Sequence, residues 1–368
     1  MNIYLIQILE VFAIGFAGAI LTAPLSIKIA HRFDIIDRPR SDRRIHDRPI
    51  PRFGGMSIMI GTTLAMLIPS SLNPELRVAV LGGILMYILG ACDDLIDLKP
   101  IVKFAGQWAI ASIVYFMGVR ISFIGHLFEL DNSGANLVLN GGLAYLITVL
   151  WIVGVTNAVN LMDGMDGLAA GATMIMSMSL AYVAYIHGSR LGSMSVCVAL
   201  MAVAGACAGF LPFNFSPART FMGDGGSLYL GYMIAVLSVI SPLKRATMVG
   251  AIIPILALAV PLFDTVFAIV RRLYRGQSIM TADKEHLHHH LLAAGFGQRR
   301  SVLVIYGIVG IMGIVAVLIS RELYKDAFFL ALIAILYLGI IIIPKQPVKD
   351  KKEKTEDTEQ DDERFTID

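Results

Sequence analysis

Charged residues are scarce in this chain. They fill 16% of its 368 positions, where an ordinary soluble domain has about one quarter. Hydrophobic residues fill 56%, more than one core of this size can hide, so lipid is the simplest solvent for the excess. Ten-residue stretches of alternating hydrophobicity are missing, which argues against a transmembrane barrel. Cysteine is scarce as well. Cys92, Cys197 and Cys207 lie in or beside apolar runs without metal-ligand spacing, and read as residues of a membrane core. The first apolar run lacks a basic segment ahead of it, is too long for a signal peptide and is followed by Lys28 and Arg32. A retained first span is therefore expected. The net charge of +2 carries no sign of a nucleic-acid partner.

What is present is a series of long, nearly uncharged runs. They predict an all-α polytopic membrane protein with about eleven transmembrane helices, at 4–27, 54–70, 78–92, 101–119, 142–158, 167–187, 192–211, 226–241, 247–270, 301–320 and 327–343. Several are shorter than the usual ~20 residues, so tilt or shared boundaries are expected. One set of connecting loops carries 17 Lys and Arg, the other 7. The rich set is expected in the cytoplasm, which puts the N-terminus outside and the C-terminus inside. Residues 1–344 are expected to form one transmembrane domain, the part of the chain that would carry any catalytic site. Residues 345–368, with nine acids and six bases, form a charged cytoplasmic tail that is expected to be disordered.

With this topology the unusual polar stretches share the cytoplasmic face: "RIHDRPIPRFGG" (44–55), "CDDLIDLKP" (92–100), "NAVNLMDGMDG" (157–167), "FMGDGGS" (221–227) and "DKEHLHHHLLAAGFG" (283–297). Asp93 and Asp94 are adjacent acids beside hydrocarbon, which repel unless a cation or solvent relieves them. Asp97 serves a local turn equally well. Asp224 lies among Gly223, Gly225 and Gly226, where the backbone can approach an anion or a metal; a structural glycine turn is the competing reading. This is no P-loop, because the G-K-[ST] ending is missing. Ser227 is a candidate cap for the eighth span. Asn157, Asn160, Asp163 and Asp166 recur at every third position. On one regular helix they would drift around its surface, since each residue turns by about 100°. A span–turn–span junction near Gly164 would instead let them converge. Gly167 and Gly171 form a small-xxx-small face behind it.

Oxygen ligands of this kind suit Mg²⁺, with Mn²⁺ as an alternative; zinc prefers His or Cys. The histidines His286, His288, His289 and His290 leave zinc open, although no H-E-x-x-H motif is present. Arg271 and Arg272 suit a diphosphate. The residues alone thus point to a cytoplasm-facing, Mg²⁺-dependent site for a phosphorylated substrate at a lipid interface.

The Asp pair, "NAVNLMDGMDGLAAG", "FMGDGGSLYLG" and the "HLHH" loop, in this order and spacing, resemble the polyprenyl-phosphate N-acetylhexosamine-1-phosphate transferases up to about residue 300. The resemblance implies transfer of a sugar 1-phosphate from a UDP-sugar to undecaprenyl phosphate at a bacterial plasma membrane, with release of UMP. "RRLYRGQSIMTADKEH" and the His loop resemble the branch that uses UDP-GlcNAc; a branch that uses UDP-MurNAc-pentapeptide is the alternative. By resemblance, Asp224 binds the metal, Asp93 acts at the polyprenyl phosphate, and Asp94 supports metal or phosphate positioning. Asn157, Asn160, Asp163 and Asp166 line the nucleotide–metal site. His286, His288 and His289 hold the sugar diphosphate, with Arg271 or Arg272 nearby. His46 and Arg52, in "HDRPIPRFGG", meet the lipid phosphate. Membrane lipid is the surrounding partner, and a homodimer stays open. A transporter or flippase is the rival class: it shares many spans and edge acids, but is expected to show inverted repeats and midplane charges, and no clear repeat is seen.

Overall fold

The computed structural model describes residues 3–38, 49–67, 73–121, 123–124, 137–191, 194–241, 255–256, 258–274, 291–292 and 296–342. Its helices, in chain order, are α1 (Ile3–Arg32), α2 (Gly55–Leu67), α3 (Pro74–Ile96), α4 (Pro100–Phe116), α5 (Gly141–Met162), α6 (Leu168–Leu191), α7 (Met194–Asn214), α8 (Gly223–Ile240), α9 (Ala259–Tyr274), α10 (Gln298–Ser320) and α11 (Tyr324–Ile342). Seven of them are long and apolar enough to cross a membrane, and α2 and α4 are shorter apolar helices. This is an all-α, multi-spanning membrane protein. The tail 345–368 lies outside the described residues.

Local chemistry sets the helix ends. Asn73 accepts from the Leu76 N–H at 2.9 Å and Pro74 follows it, so α3 starts on a capped, preset turn. Asn140 caps α5 through the Leu143 N–H at 2.8 Å. Asp97 ends α3 in the left-handed region, at φ 50°, and returns its N–H to the Asp93 carbonyl. Pro100 then opens α4. Asp97 thus serves the local turn that was one of its two readings.

The pillar of the bundle is α8. Of its apolar window 94% is buried, against 22% for α1. Helices α3, α5 and α2 pack on it; α1 packs on α2 and α7, and α6 on α7 and α10. The closest approach is made where side chains are missing. A Cβ at Gly90 of α3 would fall 2.3 Å from the Asp224 carbonyl oxygen, and one at Gly55 of α2 would collide with Gly226 of α8. Gly90→Ala is expected to cost about 1–3 kcal/mol through overpacking. Thermal unfolding in detergent checks this, and an unchanged midpoint would contradict the close α3–α8 contact.

Two short ladders accompany the helices. Strand β1 (Ile36–Asp37) pairs antiparallel with β2 (Ile50–Pro51), and β3 (Phe123–Ile124) with β4 (Leu137–Val138). The first ladder matters for the site. Phe221 N–H donates to Pro51 O at 2.8 Å, while Gly54 and Gly55 N–H donate to Phe221 O and Met222 O, each at 2.9 Å. Residues 51–55 are thereby laced to the start of α8.

One expectation is corrected. Helix α8 begins at Gly223 instead of 226, so Ser227 is not its cap. Gly223 takes φ +73°, a conformation that favours glycine. The cap comes from another helix: Asp94 of α3 accepts from the Asp224 and Gly225 N–H groups at 2.9 and 3.0 Å. Ser227 Oγ instead donates to Gly223 O at 3.1 Å.

Candidate functional site

The C-terminal ends of α3 and α5 meet the N-terminal ends of α2, α4, α6 and α8 at one end of the bundle. Asp224, in the first turn of α8, sits at their centre. Its Oδ2 accepts from Lys103 Nζ at 2.6 Å and its Oδ1 from Asn160 Nδ2 at 2.9 Å. Arg52 Nη2 lies 3.5 Å from the same Oδ1. Asp93 shares the lysine: its Oδ2 accepts from Lys103 Nζ at 2.8 Å, and its Oδ1 from the Leu98 N–H at 2.8 Å. One ammonium therefore bridges carboxylates from α3 and α8 and offsets the repulsion between Asp93 and Asp224.

Asp94 has a different task from its neighbour. Its side chain is 1% exposed. Both oxygens accept from the first turn of α8, and Oδ1 is also 3.2 Å from Arg52 Nε. A carboxylate at a helix N-terminus is favoured by the unpaired N–H groups there. These bonds turn the backbone of Asp224 and so aim its side chain. The guanidinium of Arg52 is held above its ordinary pKa: burial opposes the charge, but Asp94, Asp224 and Asp163 outweigh it.

The stretch 157–166 separates into two tasks. Asn160 grips Asp224 and Ser227, the latter at 2.8 Å. Asp163, just past α5, has its carboxyl pushed up to about 7 by burial, with Asp224 adding to the shift and Arg52 opposing it. These two face the Asp224 cluster. Asp166 is 4% exposed and accepts from the Ala218 N–H at 3.1 Å. Asn214 joins the same turn to the next segment, accepting from Gly167 N–H and donating to Thr220 O. Behind the turn, Tyr306 of α10 lies over Gly171 and donates to Gly167 O. Asn157 points elsewhere, pairing with Gln107 of α4. So the convergence expected of all four holds for Asn160 and Asp163, whereas the amide of Asn157 and the bond from Ala218 to Asp166 serve neighbouring helices and loops.

Arg271 and Arg272 close α9, and Arg272 is buried. His46, His286, His288 and His289 lie outside the described residues. A cleft of about 340 Å³ opens beside Arg52, Asp93 and Asp94, walled by residues 34–38 and Asp97.

In the sequence Lys103 is one of the 17 bases of the charge-rich loop set. Its signal was there, however: it is a lone cation in the apolar run "PIVKFAGQWAIASIVYF", and an ionisable residue in a membrane helix marks a functional site by default. Gln107 had no comparable signal, and neither did the bond from Asn160 to Ser227, because both depend on which helices become neighbours.

The donors fit a hard divalent cation. Asp224 and Asp163 offer carboxylate oxygens, and no thiolate or imidazole is among these groups. Among the described residues no three His, Cys, Asp or Glu side chains form a ready metal cage. Mg²⁺ needs none, since it keeps waters and takes one or two carboxylates plus substrate phosphates. Zinc would need a different donor set.

Residues 76–242 match the model of glycosyl transferase family 4. The chain is 38% identical over 339 residues, 92% of each chain, to a Bacillus subtilis protein named probable undecaprenyl-phosphate N-acetylglucosaminyl 1-phosphate transferase. It is 36% identical over 331 residues to the decaprenyl-phosphate N-acetylglucosaminephosphotransferase of Mycolicibacterium smegmatis, covering 82% of this chain and 80% of that one. A phospho-N-acetylmuramoyl-pentapeptide-transferase from Desulforudis audaxviator is 30% identical over 330 residues, 82% of this chain and 95% of that one.

Proposed function

This chain belongs to glycosyl transferase family 4, and we propose that it transfers N-acetylglucosamine 1-phosphate from UDP-GlcNAc to undecaprenyl phosphate, releasing UMP. The observation that carries the reading is Asp224 at the start of α8, held by Lys103, Asn160 and Arg52 from three other segments. The Bacillus subtilis relative, 38% identical, carries this activity in its name, and the relative named for the pentapeptide branch is 30% identical. The reading includes eleven spans with the N-terminus outside and the site on the cytoplasmic side of a bacterial plasma membrane. It is supported by the loop charge of 17 against 7 and by the gathering of the site at one end of the helices. Midplane charges, which a transporter would use, are not part of this cluster.

The chemistry is a phosphoryl transfer between two anions. An oxygen of the lipid phosphate attacks the β-phosphorus of UDP-GlcNAc. The bond from that phosphorus to the oxygen bridging to the α-phosphate breaks, and UMP leaves with the electron pair. A phosphate monoester has a second pKa of about 6, so the acceptor is mostly dianionic at neutral pH. Asp93 then has little proton to remove, and its two oxygens are engaged by Lys103 and Leu98. Its role in this reading is to hold Lys103 where the acceptor phosphate arrives. Lys103 and Arg52 offset the repulsion between the substrates. Asp224 and Asp163 would hold Mg²⁺, which when bound neutralises the donor diphosphate and the departing UMP. Phosphate stays at the interface, because its charge is costly in hydrocarbon, while the prenyl tail lies among the spans.

Competition tests the donor. Purified protein is given undecaprenyl phosphate, Mg²⁺ and labelled UDP-GlcNAc, with and without UDP-MurNAc-pentapeptide. The expected result is organic-soluble label that resists the pentapeptide donor and disappears with EDTA. Preferential use of the pentapeptide donor would move the chain to the other branch.

A further inference from the structure

Gln107 lies four residues beyond Lys103 on α4, hence on the same face and one turn deeper. It is completely buried. Its amide meets that of Asn157 on α5 in both directions: Gln107 Nε2 donates to Asn157 Oδ1 at 3.3 Å, and Asn157 Nδ2 donates to Gln107 Oε1. Asn157 Nδ2 also donates to Val153 O at 2.8 Å. That bond fixes which end of the asparagine amide is nitrogen, and the reciprocal pair then fixes the glutamine.

The clasp has consequences for the carboxylate cluster. Helix α4 starts without a side-chain cap. Its buried side chains are Gln107, Ala111, Val114 and Tyr115, so Gln107 is the one nearest the site. Lys103 is a flexible side chain on the turn beyond it, with its ammonium shared between two helices. On α5, Asn157 and Asn160 are three residues apart and so offset by about 60° around the axis. One reaches α4 and the other reaches Asp224 on α8. The same turn of α5 therefore sets both the rotation of α4, and with it Lys103, and the side chain of Asp224.

We propose that the Gln107–Asn157 amide pair is a positioning device for the transfer, holding Lys103 between Asp93 and Asp224. The proposal rests on the transferase reading given above. It assigns no substrate contact to either amide. A misplacement of about 1 Å at a reacting group can cost 10²-fold in rate, and loss of a residue that orients a ligating group typically costs ~10–100-fold.

The test is a swap. Gln107→Asn shortens one arm and opens the pair, whereas Gln107→Asn with Asn157→Gln restores the summed length. Two readouts are taken on full-length protein in detergent. The first is kcat and KM for UDP-GlcNAc. The second, independent of transfer, is the rate of Lys103 acetylation by acetic anhydride, read by mass spectrometry with exposed Lys28 and Lys99 as internal standards. Expected for Gln107→Asn is a kcat lower by about tenfold or more, KM little changed and faster acetylation of Lys103 alone; the double swap returns both readouts toward wild type. A clasp that only stabilises the fold would lower the melting temperature and leave kcat per folded molecule and Lys103 labelling unchanged, which overturns the proposal. A double swap no better than the single variant also overturns it. Should Gln107→Asn not fold, Gln107→Met keeps the chain length and loses the amide, and the same readouts apply. Absence of transfer by the wild type would refute the transferase reading, while the labelling pattern would still decide whether the clasp places Lys103.

Discussion

Asp224→Asn is expected to lower transfer by about 10³-fold or more, beyond the ~10–100-fold typical of a residue that only supports a ligand. The substitution keeps the size of the side chain and an oxygen that can accept from Lys103 or Asn160. It removes the negative charge that a hard cation requires, and it leaves Lys103 with Asp93 as its one remaining carboxylate among those described at the cluster. Helix α8 should survive, because its N-terminal cap is Asp94 and not Asp224. The checks are transfer rate, membrane insertion and melting temperature. Loss of transfer in a protein that inserts and melts like wild type is the expected combination. Transfer at the wild-type rate would remove Asp224 from the metal site.

Lys103→Met has the second-largest expected effect, a loss of about 10²–10³-fold in kcat/KM, as for removal of one preorganised electrostatic group. The ammonium lies 2.8 Å from Asp93 and 2.6 Å from Asp224. Methionine fills similar space without charge. Two carboxylates then face each other in a partly buried site, which disfavours ionising both. Lys103→Arg should not restore the rate, because a planar fork cannot take the place of a compact point charge between two single oxygens. Steady-state kinetics on all three proteins decide this. Near-wild-type turnover by Lys103→Met would mean that Asp93 and Asp224 do not need the bridge.

Much of the helical framework is legible in composition, because a span needs only an uninterrupted apolar run. The junction at 157–167 was also legible: α5 ends at Met162 and α6 starts at Leu168, with the turn between them. The individual directions of its side chains were not. Asn157 and Asn160 both remain on α5, and the small rotation between them sends one to α4 and the other to α8. Which helix waits on each side is a tertiary fact. The start of α8 was misplaced for a related reason. Its glycines read as a turn in isolation, and only the distant Asp94 makes them a capped first turn. Lys103 shows the opposite case: the cation was visible, but its two partners are 10 and 121 residues away in the chain.

The central claim is that a sugar 1-phosphate, and not the sugar alone, moves to the lipid at this site. The direct measurement uses UDP-GlcNAc labelled with ³²P at the β-phosphate, given to purified protein with undecaprenyl phosphate and Mg²⁺. Label in the organic phase together with unlabelled UMP in the water, both lost in Asp224→Asn, is the predicted result. Label remaining in water as UDP while GlcNAc enters the organic phase, or no transfer at all, would contradict it.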